Sequence, residues 1–446
     1  MTPLDFLAEE FQNVERALAE TLRHDYGPAR SKDYYDECAS RLAEIKKALP
    51  AILPTDLPTI AAQMNQLGLL AGWISLIERS HIGEFSWPFA DEIRRIAVTL
   101  LSETNLRGNP LEPIVHVVSE GRGYRIVNER LPGTTSQRRL AVVAFPRPLK
   151  HHVLLHTIFG HELGHTALYT ARLGAALKRD VVGALISSGP LRDATAMNSW
   201  LNDSSTPPEV QTELARYARA QGSKFSFTDQ FRSSWLVELI CDLFGLLLFG
   251  PAFLGAHRAL LPPMHSSPFQ LGLGIPTHPP YSVRHKMLVR TLSLLGWNTP
   301  VTTPIHNKIH QAEKEFVGYI TDDPFPSWTE VFDDAQLRNA IAGIQRVFTA
   351  HPGLGYAPTN AEVVVALVDR LRRGLPPILE EFDANGTPNL KRVGISQALY
   401  SGWVYWLGRA YLTDRIDLSF FDTNRLCDHA LLQQRAINDA LDAGIA

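Results

Sequence analysis

The feature that most constrains this chain is a cluster of polar residues inside an apolar helical segment. His161-Glu162-Leu163-Gly164-His165 sits within LLHTIFGHELGHTALYTARL. Ile158, Phe159, Leu163, Ala167 and Leu168 mark the helix as buried, so two imidazoles and a carboxylate must find partners in a core. Residues i and i+4 share a helix face, and both imidazoles therefore reach one point in space, as a metal ion requires. Glu162 stands about 100° around from His161. From there it reaches a metal-held water without ligating the metal, the position of a general base. The competing reading of the same residues is a buried polar pair on a core helix. Two imidazoles with a carboxylate and an open water position suit zinc best, one ion per chain.

Composition sets the frame around that helix. The 446 residues are 45% hydrophobic and 20% charged, enough for a large core and for two to four domains. A net charge of −3 argues against a nucleic-acid partner. Cys38, Cys241 and Cys427 are odd in number and far apart. They make neither a disulfide framework nor a zinc finger, which points to a reducing, cytoplasmic setting. The opening MTPLDFLAEEFQNVERALAE is acidic where a signal peptide is basic. The most apolar stretch, Leu243 to Ala256, has 14 uncharged residues. A membrane span needs roughly 18–20, so a buried helix leading into a turn is expected and no membrane span. Oligomeric state is not legible.

Periodicity divides the chain into three expected regions. Residues 1–110 read as a helical domain, with Leu4, Leu7, Phe11, Val14 and Leu18 on one stripe and a proline-punctuated break at 49–59. Residues 111–296 read as the core that carries the chemistry. It opens on three short β-branched runs, EPIVHVV, GYRIVNE and RRLAVVAF, expected to form a small antiparallel sheet. Helices follow over about 151–178 and 230–249. Residues 297–446 return to helical patterns after WNTPVTTP. The fold class is α+β, predominantly α.

A catalytic zinc usually has three protein ligands, and Glu238 in WLVELICD is the best third candidate. It lies among apolar residues, where a lone carboxylate is strongly disfavoured unless a cation compensates. Asp242 is one turn further on the same face, placed to accept the second N–H of a ligand histidine and fix its tautomer. Arginines or helix N-termini could satisfy both carboxylates instead. The third element is Thr277-His278-Pro279-Pro280-Tyr281-Ser282-Val283-Arg284. Its prolines stiffen the loop, so His278, Tyr281 and Arg284 could be held to stabilise an oxyanion. A rigid turn without chemistry is the plainer alternative.

In this order the three motifs resemble a gluzincin metallopeptidase, closest to peptidase family M48 with its HtpX-like heat-shock peptidases and CAAX prenyl endopeptidases. The match runs over His161–His165, Glu238–Asp242 and Thr277–Arg284, within roughly residues 135–290. The resemblance implies a zincin-like core, zinc on His161, His165 and Glu238, and Glu162 as base. It also implies a supporting Asp242 and site-organising roles for His278 and Arg284. An edge strand beside the active-site helix would pair with extended substrate, and RRLAVVAF is the candidate. Two departures stand out: typical members carry transmembrane helices, and Cys241 replaces the usual alanine.

The expected function is a soluble zinc endopeptidase acting on a protein or peptide substrate. The alternative, from another class, is a zinc-stabilised helical scaffold or regulatory protein with an inactive peptidase core. Other features read as structure. His151, His152 and His156 lack a partnering acid; Gly121-Arg122-Gly123 and Gly272-Leu273-Gly274 lack the strand–turn–helix setting of a nucleotide site. SGWVYWLGRAYL (401–412) reads as core packing, and Cys38 as a plain thiol. The segment from Lys178 to Gln230 is either a lid or a long connection.

Overall fold

Leu7, Phe11, Val14 and Leu18, three and four residues apart, form the buried stripe of α1 (Pro3–Thr21). In this computed structural model the described residues are 2–21, 31–77, 86–104, 110–121, 123–129, 139–220, 229–261, 269, 278–297, 325–351, 353–357, 361–382, 388–390, 392–412 and 415–443. Thr277, Gly272-Leu273-Gly274 and the break at 298–304 lie outside them. The chain divides into two compact units, Met1–His151 and His152–Ala446. Three regions with boundaries near 110 and 296 were expected.

In the first unit, α1, α2 (Ser31–Ala48) and α3 (Leu57–Ile77) share one core with a three-stranded sheet. Phe11, Leu42, Leu70 and Trp73 pack there with Ile114, Val118, Leu140 and Val142. A fourth helix, α4 (Trp87–Leu101), leads into the strands β1 (Ile114–Ser119), β2 (Arg125–Glu129) and β3 (Leu140–Phe145). The sheet order is β1-β3-β2. The last strand in sequence therefore lies in the middle, parallel to β1 with Ile114 opposite Leu140, and antiparallel to β2 with Arg125 opposite Ala144.

Two expectations are corrected here. The sheet is mixed, not antiparallel. RRLAVVAF is its central strand, so both its edges are already hydrogen-bonded and it cannot take up a substrate strand. The parallel pairing, though not the strand order, has a mark in the runs themselves. LAVVAF and IVHVVS are buried at every position, and strands covered on both faces read as continuous apolar runs, not as alternation.

Among the described residues the second unit is helical apart from a small hairpin of Glu380–Phe382 with Pro388–Leu390. The segment expected as one helix over 151–178 is broken. It runs as 3-10 turns (Val153–Ile158), α5 (Phe159–Leu168) and α6 (Ala171–Leu177). Thr170 is the break: its backbone is extended and its hydroxyl donates to the Ala167 carbonyl at 2.8 Å, ending α5. Short helices α7 (Ala194–Leu201) and α8 (Pro208–Ala220) follow, then α9 (Asp229–Phe249), at the bounds the apolar run predicted.

Gly250 (φ +62) turns the chain out of α9 into α10 (Pro251–Leu260), and Pro251 starts the new helix. A Cβ at Gly250 would meet the Tyr356 ring at 2.5 Å. The longer helices that follow among the described residues are α11 (Tyr281–Leu294), α12 (Asp334–Thr349), α13 (Ala361–Arg372), α14 (Ile395–Gly408) and α15 (Phe420–Asp442). The aromatic stripe of α14 is core, as expected: Trp403 and Tyr405 are buried, and the Trp403 indole donates to the Leu154 carbonyl at 3.2 Å. The stretch after Lys178 is tied down. Gln336 donates to the carbonyls of Leu185 and Ser188, and Arg232 to that of Leu191. Residues 221–228, part of the candidate lid, lie outside the described residues. No helix among the described residues is long and apolar enough to cross a membrane.

Candidate metal centre

Glycine brings the two chemistry-bearing helices together. Gly160 and Gly164 are four apart on α5, and face Gly245 and Cys241, four apart on α9. A Cβ at Gly160 would lie 2.6 Å from the Gly245 Cα, and one at Gly164 2.8 Å from the Cys241 Cα. Any larger residue on α5 would drive the backbones apart. His161 and His165 flank this seam on one helix, Glu238 and Asp242 on the other.

The contact makes one donor set from residues about 75 positions apart. His161 Nε2 lies 3.3 Å from Glu238 Oε2, and His165 Nε2 lies 3.4 Å from Glu238 Oε1. The two imidazole Nε2 atoms are 3.0 Å apart. Ligand atoms of a tetrahedral zinc, at about 2.0–2.1 Å from the ion, stand about 3.3 Å from one another. His161, His165 and Glu238 thus form a group able to hold a metal ion. Glu238 Oε2 is buried and accepts no well-formed hydrogen bond; its polar neighbours are His161 Nε2 at 3.3 Å and Arg284 Nη2 at 3.7 Å. An imperfectly paired, desolvated carboxylate beside two converging imidazoles is a donor set that fits a divalent metal.

Asp242, wholly buried, organises the set from behind. Its Oδ1 is 2.9 Å from His161 Nδ1, and Arg284 donates to both its oxygens at 2.7 Å, from Nε to Oδ2 and from Nη2 to Oδ1. Nδ1–H of His161 therefore points at Asp242, and Nε2 is left facing His165 and Glu238. Burial alone would raise the Asp242 carboxyl, but the Arg284 charge overrides it and holds the group well below the ordinary range. Glu238 behaves alike: burial opposes ionisation, and the two histidines hold it low. Burial pulls His161 down, while Asp242 and Glu238 outweigh it and hold its pKa at about 9. Without metal, His161 keeps a proton that a metal ion must displace.

Glu162 is partly buried and belongs to neither set of bonds. Desolvation raises its pKa, against the opposing charges of His161 and His165. His278 stands on the solvent side, its side chain 53% exposed and its Nε2 3.5 Å from Glu238 Oε1. Tyr281 has a different setting. Its ring stacks between His257 and His285, and its hydroxyl bonds to His285 Nδ1 at 3.1 Å.

Residues of all three motifs meet in this one place, the third through His278 and Arg284, with Arg284 as the arginine behind Asp242. Sequence reading missed the glycine seam, although two glycines four apart in a helix are a signal, since glycine there costs helix stability. It also missed His257, whose only local mark is an imidazole in an apolar helix. No family model, curated protein or solved structure matches this chain.

Proposed function

We propose that this chain is a zinc-dependent metallopeptidase, an endopeptidase with restricted protein substrates. The observation that carries this reading is the meeting of His161, His165 and Glu238 beside a half-buried Glu162 that is outside the ligand group. A purely structural site needs no such base and closes its coordination with a further Cys or His.

His161, His165 and Glu238 would hold the ion. Bound zinc supplies a Lewis acid that polarises a carbonyl and acidifies water. Glu162 accepts the proton of the attacking water on a carboxylate oxygen and returns it to the leaving amine. Desolvation raises its pKa above the ordinary carboxylate value, the direction a group that both takes and returns a proton needs. Asp242 and Arg284 keep His161 in one tautomer and orientation. His278, half exposed at the mouth, meets the developing negative charge of the substrate oxygen.

The test compares wild type with Glu162→Gln for metal content and for cleavage of a peptide library read by mass spectrometry. About one zinc per chain in both proteins, with cleavage by wild type alone, supports the reading. Equal cleavage by both, or no metal in wild type, overturns it.

A further inference from the structure

Behind Asp242 lies a residue that no motif includes. His257, in the last turn of α10, is completely buried. Its Nε2 lies 3.6 Å from Asp242 Oδ2, a few tenths of an ångström beyond a hydrogen bond. Neither ring nitrogen has a hydrogen-bond partner among the described residues. The ring is clamped, stacked on Tyr281 with centroids 5.4 Å apart and flanked by Phe253 at 5.8 Å. Its freedom is therefore small, and the polar group its Nε2 approaches is Asp242.

Asp242 has room for it. Oδ1 receives two donors, His161 Nδ1 and Arg284 Nη2, whereas Oδ2 receives Arg284 Nε. A carboxylate oxygen accepts two bonds, so Oδ2 retains one acceptor position. The turn at Gly250 is what returns α10 along α9 and delivers His257 to that position.

We propose that His257 is a positioning residue of the metal centre, whose Nε2–H holds the outer oxygen of Asp242 so that the inner oxygen holds His161. A neutral imidazole serves, since it donates from Nε2 without adding a charge beside Arg284. The chain of contacts then runs from ligand to carboxylate to imidazole, each fixing the next. This inference rests on the metalloenzyme reading above.

Two substitutions separate positioning from packing. In His257→Gln the amide nitrogen falls where Nε2 stands; in His257→Asn it stops short of Oδ2. Zinc dissociation constants are measured by competition with a chromophoric chelator, and thermal unfolding of the metal-free proteins is recorded alongside. We expect His257→Asn to weaken zinc about tenfold, His257→Gln to stay within about threefold of wild type, and the two metal-free proteins to unfold together. Equal zinc affinity in the two variants, whether weakened or not, overturns the role of His257. A wild type that takes up no zinc overturns the metalloenzyme reading and this inference with it.

Discussion

Arg284 grips both oxygens of Asp242 at 2.7 Å, and both side chains are buried. The pair stands behind the His161–His165–Glu238 group that could hold a metal, and a buried pair broken on one side leaves an uncompensated charge. Arg284→Met should cost about 3–5 kcal/mol of unfolding free energy in denaturant titrations. Adding Asp242→Leu to it should recover part of the loss, because the orphaned charge is then gone. A double variant that is the plain sum of the singles would show that the pair is not coupled.

The glycine seam makes a prediction with an internal control. Gly164→Ala places a methyl 2.8 Å from the Cys241 Cα, so α5 must shift on α9. We expect a loss of about 1–3 kcal/mol together with weaker zinc binding, because the ligands sit on both helices. Gly68→Ala, in α3 with open space at the Cβ position, should stabilise by about 0.5–1 kcal/mol. Identical effects of the two substitutions would remove the close approach as the cause.

Metal removal should appear in stability. Zinc at a thousand times its dissociation constant adds about 4 kcal/mol to a fold that binds it only when native. A chelator should therefore lower the melting temperature, and Glu238→Ala should melt alike with and without added zinc. A zinc-dependent shift that survives in Glu238→Ala would move the site elsewhere.

His116 sets an acid limit on the first unit. Burial lowers its pKa to about 4, against the Leu76 carbonyl 3.3 Å from Nε2, with Arg94 adding to the fall. The unfolded chain takes the proton near pH 6.5 and the native one only near 4. This contribution is therefore complete above 6.5 and lost as pH falls through that window. The total is about 3 kcal/mol. His116→Gln should flatten the difference between pH 6.5 and 4 in unfolding titrations. An unchanged profile would place the acid sensitivity in other groups.

Much of this protein was legible from local spacing. The stripe of α1, the bounds of α9, the shared face of His161 and His165 and that of Glu238 and Asp242 all follow from 3.6 residues per turn. That is a short-range rule the chain satisfies wherever the helix forms. Strand pairing and helix contact follow no such rule. LAVVAF announced itself as a strand, but its central place depends on which runs pair with its two edges. The helix expected over 151–178 was broken at Thr170, where a hydroxyl bonded to the backbone outcompetes continued helix.

What the sequence alone determined, then, was the chemistry on offer: two imidazoles, and three carboxylates in apolar helices that could not stay unpaired. Only the tertiary structure decided their partners. Glycines at 160, 164 and 245 let two backbones touch, the turn at Gly250 brought His257 behind Asp242, and α11 supplied Arg284. Contacts between residues so far apart depend on packing of whole helices, which no local pattern encodes.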